Sequence, residues 1–552
     1  MIERLKKIWR TTKLVLLGVL LGVLLTAICL APPLMRRLGA YTASAGPTAE
    51  QTETAETPET PAAVVLRLRL PAAAAAGAAV SADGLEWFTP RAGVAELTLA
   101  PGRYDLRAAR GNRLAWLERG VYQDEADAAP VLLDLDRAPD CQELTILECN
   151  YGEGRAFALD IQGAEAVLSE KTLPGLAVLR VGGIFRLEAA ANLAPGFYHT
   201  PLVARAADGE AVLHAGLRVR AAGPATLIAT ESDLRAVAYN LNGHFRLTED
   251  IDLSAVAWQS LGNEEHPFTG VFDGGGHEIR GLIAPLFGVV RRAEISALIL
   301  SAPAIDGGEA PAAAIALVAR DSYIHDAAVL DGEVRAGAAA AGCVYRAEGS
   351  ILSGLLNTAA VRAEAPAAER PLAGGIAALL TDRSLVRACV NAGPVSGAFL
   401  TGGIAARSTE SDIARCFATG GLSGPTGPAW PAAAAIVPLT EWGRVADCYY
   451  TEDGTAPGAG NQGLAVVAAV TPVSAERALE AEALPRLGEF GGTTPEWVFR
   501  PDWPRGPLPA GIGALLPEAA DEAAEVAEVA DEAAVEAAEG LPEAPAASGG
   551  RQ

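Results

Sequence analysis

The chain has 552 residues, of which 50% are hydrophobic and only 5% aromatic, and it carries 59 glycines and 36 prolines. This length allows several domains, and an apolar composition poor in bulky rings predicts thin stacked layers rather than one large globular core. The net charge of −24 argues strongly against nucleic acid as a partner, because an acidic surface is repelled by a phosphate backbone. With no HExxH and no CxxC pattern, we predict no metal, no cofactor and no catalytic residue.

The first predicted element is a membrane-spanning helix at Leu14–Met35, which contains 22 residues and no charge. Such a helix is about 33 Å long, enough to cross a hydrocarbon core of about 30 Å. Five basic residues precede it and two follow, which predicts an uncleaved signal anchor, a cytoplasmic tip at 1–13 and an extracytoplasmic bulk. The expected location is the cell membrane, single-pass, with the lipid bilayer as a partner through residues 14–35. A cleaved signal peptide is the alternative.

The next segment, 36–62, is rich in threonine, proline and glutamate. It contains too few apolar residues to offset the entropy lost on ordering. We therefore expect a solvated stalk.

Alternation of apolar and polar residues predicts two β-sandwich modules, at 63–137 and, immunoglobulin-like, at 140–222. The phrase A-P-G-x-Y occurs in both, at 100–104 and at 194–198. A Pro-Gly turn followed by tyrosine at the start of a strand resembles the turn and tyrosine anchor of immunoglobulin-like sandwiches.

The longest predicted domain covers 225–510 and begins with a short capped helix at 230–237. Thr230 or Ser232 is the predicted N-cap, because each precedes an apolar helical face. Alternating strands then flank a tight turn at 273–276, with the sequence DGGG.

Beyond residue 285 the chain repeats one design: an apolar strand, a polar turn, a second apolar strand, a small turn and a closing apolar residue. The closing residues, spaced 27, 34 and 27 apart, are Val334, Val361, Val395 and Leu422. Three short strands per repeat and no 3.6-residue period predict a solenoid whose coils bury one another's apolar side chains. The predicted fold class is therefore all-β, with a right-handed parallel β-helix as its largest part.

The segment FTGVFDGGGHEIRGL at 268–282 and the Gly-Gly-Ile triplets at 374–376 and 402–404 resemble the GLUG-motif β-helix domains of bacterial cell-surface proteins. The segment PEWVFRPDWPRGPLP at 495–509 resembles the ending of such domains. The resemblance covers about 225–510. It implies an exported surface protein, often adhesive or carbohydrate-related, and no particular enzyme activity.

The last segment, 511–552, is acidic and rich in alanine and glutamate. Its glutamates repel one another at i,i+4 and no lysine offsets them. We expect a disordered or nascent-helical tail.

Two aspartate-containing segments offer side chains of a metal or catalytic site, and both also fit ordinary turn chemistry. Asp250 and Asp252 could offer oxygen to Ca²⁺, but that ion takes six to eight ligands, which favours a polar turn beside a strand. Asp273 and His277 bracket the triple glycine, where aspartate commonly begins a tight turn. We predict neither a metal site nor a catalytic role for them.

A set of four cysteines could bind a metal or form disulfides: Cys343, Cys389, Cys416 and Cys448. Because Cys389 and Cys416 lie 27 residues apart, they are expected to stack in neighbouring coils as small buried hydrophobes. For Cys141 and Cys149, eight residues apart, a hairpin disulfide and buried thiols remain equally open.

Three carboxylates fall in the polar turns of successive repeats: Glu348, Asp382 and Glu410. A pair of carboxylates about 5–9 Å apart can hydrolyse a glycosidic bond if burial raises the pKa of one of them. Arginines at 346, 383 and 407 accompany them. We therefore expect a solvated charged edge.

These observations predict a membrane-anchored, non-catalytic, extracytoplasmic surface protein that binds a glycan or a surface protein through β-helix faces, as adhesins do. One alternative is a polysaccharide lyase or glycoside hydrolase on the same scaffold. Another is a purely structural component of the cell envelope.

Overall fold

The computed structural model describes the central part of the chain. The described residues are 64–71, 78–84, 86–121, 130–366, 369–397, 399–425, 432–452, 456–461, 465–474, 497–500, 502–503, 505 and 507–516. The predicted cytoplasmic tip, membrane-spanning segment and stalk lie outside these residues, as does the tail beyond residue 516.

Helices in the described residues are few and short. Helix α1 covers Glu231–Ala236 and α2 covers Ala510–Leu515, and two single-turn 3₁₀ helices cover Leu135–Arg137 and Val237–Tyr239. A bilayer requires about 20 apolar residues in a helix, and no helix in the described part is long and apolar enough to cross one. This corrects the predicted single-pass location in the cell membrane.

The capped helix is present where the sequence predicts it. The Thr230 side chain accepts a hydrogen bond from the Asp233 amide at 3.2 Å, and the Asp233 carboxylate accepts one from the Thr230 amide at 3.0 Å. This reciprocal capping box resolves the choice of N-cap in favour of Thr230.

The described residues before 221 form fifteen strands, and we call this part of the molecule the N-terminal layer. They are β1 Val64–Arg69, β2 Ala79–Ser81, β3 Val94–Leu99, β4 Gly102–Arg110, β5 Arg113–Val121, β6 Val131–Leu132, β7 Asp140–Cys141, β8 Leu144–Asn150, β9 Arg155–Ala158, β10 Ile161–Gln162, β11 Ala166–Ser169, β12 Leu176–Val181, β13 Ile184–Ala189, β14 Gly196–Ala206 and β15 Gly209–Arg220.

One sheet runs through the whole N-terminal layer, in the order β11-β14-β15-β5-β4-β2, and β8 adds a parallel strand beside β15. Two smaller sheets, β3-β1-β6 and β12-β13-β9, pack against it. The long sheet crosses the predicted boundary between the two modules, because β15 pairs with β5.

The repeated A-P-G-x-Y phrase builds the same contact twice. The hydroxyl of Tyr104 donates to the Ala100 carbonyl at 2.7 Å, and that of Tyr198 donates to the Ala194 carbonyl at 2.8 Å. Each hydrogen bond joins a tyrosine near the start of a long strand, β4 or β14, to the carbonyl group of the residue four positions earlier in the sequence. The predicted tyrosine anchor is therefore present in both places.

The following strands belong to the β-helix (β16 to β44) and to a two-stranded sheet that follows it (β45 and β46). They are β16 Thr226–Ile228, β17 His244–Leu247, β18 Ile251–Asp252, β19 Val271–Asp273, β20 Glu278–Arg280, β21 Phe287–Arg291, β22 Glu294–Ser301, β23 Ala304–Asp306, β24 Ala312–Ala313, β25 Ala316–Arg320, β26 Tyr323–Leu330, β27 Glu333–Ala336, β28 Ala339–Ala341, β29 Val344–Glu348, β30 Ile351–Asn357, β31 Ala360–Ala363, β32 Leu372–Gly374, β33 Ala377–Thr381, β34 Leu385–Arg387, β35 Val390–Asn391, β36 Val395–Gly397, β37 Leu400–Gly402, β38 Ala405–Ala414, β39 Phe417–Ala418, β40 Leu422–Ser423, β41 Ala432–Ala434, β42 Val437–Thr451, β43 Ala459–Asn461, β44 Val466–Val473, β45 Trp497–Val498 and β46 Leu508–Pro509.

Strands β16 to β44 pair in parallel, coil on coil, in three long sheets. The predicted closing residues lie directly opposite one another: Val334 pairs with Val361, Val361 with Val395, and Val395 with Leu422. A coil contains four strand segments, such as β28 to β31, rather than the three predicted; the additional one is the short alanine strand β28, which precedes the predicted apolar strand. The parallel β-helix is thus present, and its predicted right-handedness stays a prediction.

Polar ladders run inside the stack of coils. The Ser322, Ser350 and Ser384 amides donate to the hydroxyls of Ser350, Ser384 and Ser411 respectively, at 3.0 to 3.1 Å. The Asn357 side-chain amide similarly donates to the Asn391 side-chain oxygen of the next coil at 2.7 Å. These bonds satisfy buried polar groups at the turns, where regular strand pairing stops.

Candidate functional site

Asp250, Asp252 and Asp273 make local turn contacts. Asp252 accepts from the amide of Ser254 at 2.8 Å, and Asp273 accepts from the amide of Gly275 at 2.9 Å. Asp250 accepts from the Glu278 amide at 2.9 Å and lies 3.2 Å from a ring nitrogen of His277. In the described residues, no group of three or more His, Cys, Asp or Glu side chains is placed to hold a metal ion.

The cysteines of the β-helix are buried free thiols: Cys343, Cys389, Cys416 and Cys448. Burial raises the pKa of Cys343 and Cys416 well above the ordinary thiol value, so both are protonated. Cys141 and Cys149 are also free thiols. This settles the alternative left open by their spacing.

The three turn carboxylates have three different environments. Glu348 pairs with Arg320 at 2.5 Å and with Arg346 at 3.0 Å. Asp382 pairs with Lys171 of the N-terminal layer at 2.9 Å, whereas Glu410 is exposed. The charged edge predicted to be solvated is therefore partly covered.

This edge is a left-handed corner that recurs in successive coils. Its residues follow paired strand ends and have φ of 49°, 49°, 59° and 56° at Arg292, Asp321, Gly349 and Asp382. The N-terminal layer lies along this corner, and we call the contact between the two the seam.

Charged pairs hold the seam along several coils. Lys171, the one lysine after Lys13 in the sequence, binds both Asp321 and Asp382. Burial alone would lower the pKa of Lys171, but its hydrogen bonds to the two carboxylates outweigh burial and raise it. Further along, Glu143 of the N-terminal layer pairs with Arg387 at 3.1 Å.

Two buried histidines complete the seam at its centre. On β14, His199 Nδ1 lies 2.8 Å from the Gly349 carbonyl oxygen, and its Nε2 lies 2.9 Å from Nδ1 of His214 on β15. His214 Nε2 in turn lies 2.9 Å from Oδ2 of Asp412 in the β-helix. The four groups form one continuous hydrogen-bonded array across the seam.

The hydrogen-bond roles place the protons in this array. The Gly349 carbonyl can only accept, so His199 Nδ1 donates. Burial, assisted by nearby His214, lowers the pKa of His199, so this ring is neutral and its Nε2 accepts from His214. Burial alone would raise the pKa of Asp412, but the hydrogen bond from His214 outweighs it and lowers that pKa. His214 therefore lies between the neutral His199 ring and the Asp412 carboxylate, with one ring nitrogen in contact with each.

A groove of about 800 Å³ opens where the end of β15 meets the first coils. Neutral polar side chains line much of it: Asn150, Asn240, Asn242, Thr269 and Ser296, together with His244. Its charged side chains are Arg218, Arg220, Arg292, Asp273 and Glu294.

Protein partners neutralise the carboxylates of this groove. Arg218 Nε donates to Glu294 at 2.6 Å, and His325 contacts the same carboxylate at 3.1 Å. Burial alone would raise the pKa of Glu294, but the hydrogen bonds from His325 and Arg218 outweigh it and lower that pKa. Asp273 lies 3.6 Å from Arg246.

A smaller cleft of about 240 Å³ lies farther along the seam, and we call it the Trp442 cleft. Trp442 is 51% exposed and has φ of 60°, a backbone conformation that is unusual for a bulky residue. Glu170, Glu410 and Asp412 line the same cleft. Burial raises the pKa of Glu170, although Arg383 at 3.2 Å opposes the shift.

Sequence reasoning missed Lys171, His199 and His214. The available signal was a polar residue within an apolar strand, as at His199 and His214, and one isolated lysine in a chain that otherwise uses arginine. Neither signal names the partner, because Asp412 lies 198 residues from His214 in the sequence.

No family model and no curated protein matches the sequence. Among solved structures, an IgA1 protease is 12% identical with a TM-score of 0.33, over 73% of this chain and 28% of that one. An endo-fucoidan hydrolase of glycoside hydrolase family 107 is 10% identical with a TM-score of 0.15, over 29% of this chain and 26% of that one. The chain thus spans little more than a quarter of each, and values this low support no inference about function.

Proposed function

We propose that this protein is a non-catalytic glycan-binding protein whose ligand lies in the groove between the N-terminal layer and the first coils. One observation carries the proposal: a space of about 800 Å³ is lined by side-chain amides, hydroxyls and guanidinium groups. A ligand site of a few hundred to about 1,000 Å³ fits a small molecule or a short oligosaccharide. Sugars offer many hydroxyls, which both donate and accept hydrogen bonds.

The pattern of charge supports a glycan over a protein partner. The carboxylates of the groove have protein partners, so the remaining hydrogen-bonding capacity lies mainly in neutral amides and hydroxyls. Cores of protein interfaces are instead enriched in aromatic and apolar side chains. The resemblance to GLUG-motif surface proteins, among which carbohydrate-related roles are common, agrees with this choice.

An exposed aromatic ring lies close to the groove. Tyr239, at the end of a 3₁₀ helix, is 93% exposed and precedes Asn240. Tyr239, Asn240, Asn242 and Thr269 line an adjoining depression, and the last three also line the groove. The apolar face of a sugar ring can pack on such a tyrosine while its hydroxyls bind the amides.

A titration of the full-length protein with a panel of neutral and acidic oligosaccharides tests the proposal. We expect at least one glycan to bind, and Tyr239→Ala to weaken binding by about tenfold, as loss of one aromatic contact would. Phe88→Ala, at an exposed aromatic residue that does not line the groove, is the matched control and should leave the affinity unchanged. Binding that is indifferent to Tyr239 would contradict the proposed site.

A glycoside hydrolase is the second candidate, and the Trp442 cleft favours it. The pKa of Glu170 is raised and that of Asp412 is lowered within one cleft, as in an acid and carboxylate pair. Assay of the same glycan panel for released reducing ends separates the candidates. Products that form with the wild type and not with Glu170→Gln would favour the hydrolase, and no binding at all would favour a purely structural role.

A further inference from the structure

Arg292 differs from the other arginines of the groove, because no carboxylate pairs with it in the described part of the chain. Arg218 pairs with Glu294, and Arg220 pairs with Glu148 at 2.6 Å. Arg292 is exposed, and it lies where the groove adjoins a second depression of about 320 Å³. Arg292 therefore lines both spaces, and no carboxylate of the described residues neutralises it.

Two contacts position Arg292. Its carbonyl oxygen accepts a hydrogen bond from the Phe197 amide at 2.8 Å. A Cβ on the neighbouring Gly196 would lie 2.9 Å from that oxygen, so glycine is needed for this approach. The guanidinium carbon lies 5.6 Å from the centre of the Tyr198 ring, which its own hydrogen bond to Ala194 holds in place.

The Tyr198 ring orients the guanidinium without cancelling its charge. Burial raises the pKa of Tyr198, although Arg292 opposes the shift, so the phenol is neutral at physiological pH. An arginine held over an aromatic face keeps hydrogen-bond donors for a further partner.

We propose that Arg292 selects a glycan with an anionic group, a carboxylate or a sulfate on a sugar ring; this rests on the proposed function. A guanidinium presents two parallel N–H donors that match such an oxyanion. The net charge of −24 opposes approach of an acidic ligand, but beyond about 8 Å salt screens that repulsion at physiological ionic strength. The long-range field therefore slows association more than it alters selectivity at contact.

The test uses two matched pairs of ligands with the full-length protein: an oligogalacturonate with its methyl ester, and dextran sulfate with dextran. The wild type should bind the acidic member of at least one pair about tenfold more tightly than the neutral member. The pair that shows the preference identifies the carboxylate or the sulfate. Arg292→Gln should reduce the preference to within about twofold without weakening the neutral ligand.

Arg103→Gln is the control, because it removes the same charge at an exposed arginine of the N-terminal layer that does not line the groove. This variant should keep the full preference for the acidic ligand over the neutral one. Equal binding of the acidic and neutral members by the wild type, or a preference retained in Arg292→Gln, overturns the role of Arg292 and leaves glycan binding in place. If no glycan binds to any of the proteins, the proposed function itself fails.

Discussion

At the scale of single residues, direction into or out of the coil decides what each position tolerates. Ile376 and Ile404 are fully buried one coil apart, and the Ile376 amide donates to the Ile404 carbonyl at 2.9 Å. Six residues after Ile404, Glu410 is exposed at a corner with φ of 50°. Ile404 and Glu410 are thus close in the sequence, but the first lies in the core of the coil and the second lies in solvent.

Replacing Ile404 with aspartate should lower the free energy of unfolding by several kcal/mol, on the order of 3 or more, because it buries a carboxylate with no partner. Glu410→Ala should change it by less than about 0.5 kcal/mol, since the side chain is solvated. Denaturant unfolding of both variants measures the difference. Similar midpoints would contradict the inward and outward assignment.

At the scale of elements, one local phrase determines how a strand begins. The A-P-G-x-Y phrase supplies a turn, a flexible glycine and a tyrosine whose hydroxyl reaches back four residues at the start of β4 and β14. The hydrogen bond of Tyr198 is part-buried, whereas that of Tyr104 is exposed. Water replaces an exposed hydrogen bond more easily than a buried one.

Tyr198→Phe should therefore lower the free energy of unfolding by about 1 kcal/mol, the typical net value of one hydrogen bond. Tyr104→Phe is the internal comparison and should have a smaller effect. Thermal or denaturant unfolding of the two variants gives the measurement. A larger loss in Tyr104→Phe would contradict the prediction that the part-buried hydrogen bond of Tyr198 contributes more than the exposed one of Tyr104.

At the scale of the whole molecule, the seam joins the N-terminal layer to the β-helix through charged and polar groups. Its central array buries two histidines, and His199 is neutral while His214 lies beside Asp412. His214, Lys171 and Asp412 are the titratable groups that act on His199. A buried group that stays neutral links the stability of the seam to pH.

The direction in which stability changes with pH follows from the lowered pKa of His199. In the unfolded chain His199 takes up a proton near its ordinary pKa of about 6.5, whereas in the folded chain it does so only well below that value. Protons thus favour the unfolded state as the pH falls below about 6.5. The free energy of unfolding then decreases by a slope that approaches about 1.4 kcal/mol per pH unit.

His199→Gln should remove this dependence, because glutamine can still donate to the Gly349 carbonyl and does not titrate. The measurement is the difference in unfolding free energy between pH 7.5 and pH 5.5 for wild type and variant. His266→Gln, at an exposed histidine, is the control and should keep the wild-type difference. An unchanged difference in His199→Gln would mean that this ring is protonated in the fold.

The sequence by itself determined the features that depend on near neighbours and on repetition. The capped helix at Thr230, the two tyrosine anchors, the all-β class and the register of Val334, Val361, Val395 and Leu422 were all predictable. Each rests on residues a few positions apart or on one recurring period. In a solenoid each coil contacts mainly the next coil, so residues that are one repeat apart in the sequence are paired in adjacent strands.

Only the tertiary structure decided what lies along the seam. Lys171 meets Asp321 and Asp382, 150 and 211 residues away, and the groove forms where two separate parts of the chain meet. Ion pairs and hydrogen bonds act at contact distance and leave no period in the sequence, so the partners of a lone lysine or histidine cannot be read from it. The location predicted from Leu14–Met35 has no support in the described residues, whereas the groove and Arg292 emerge only from the packing of the N-terminal layer on the first coils.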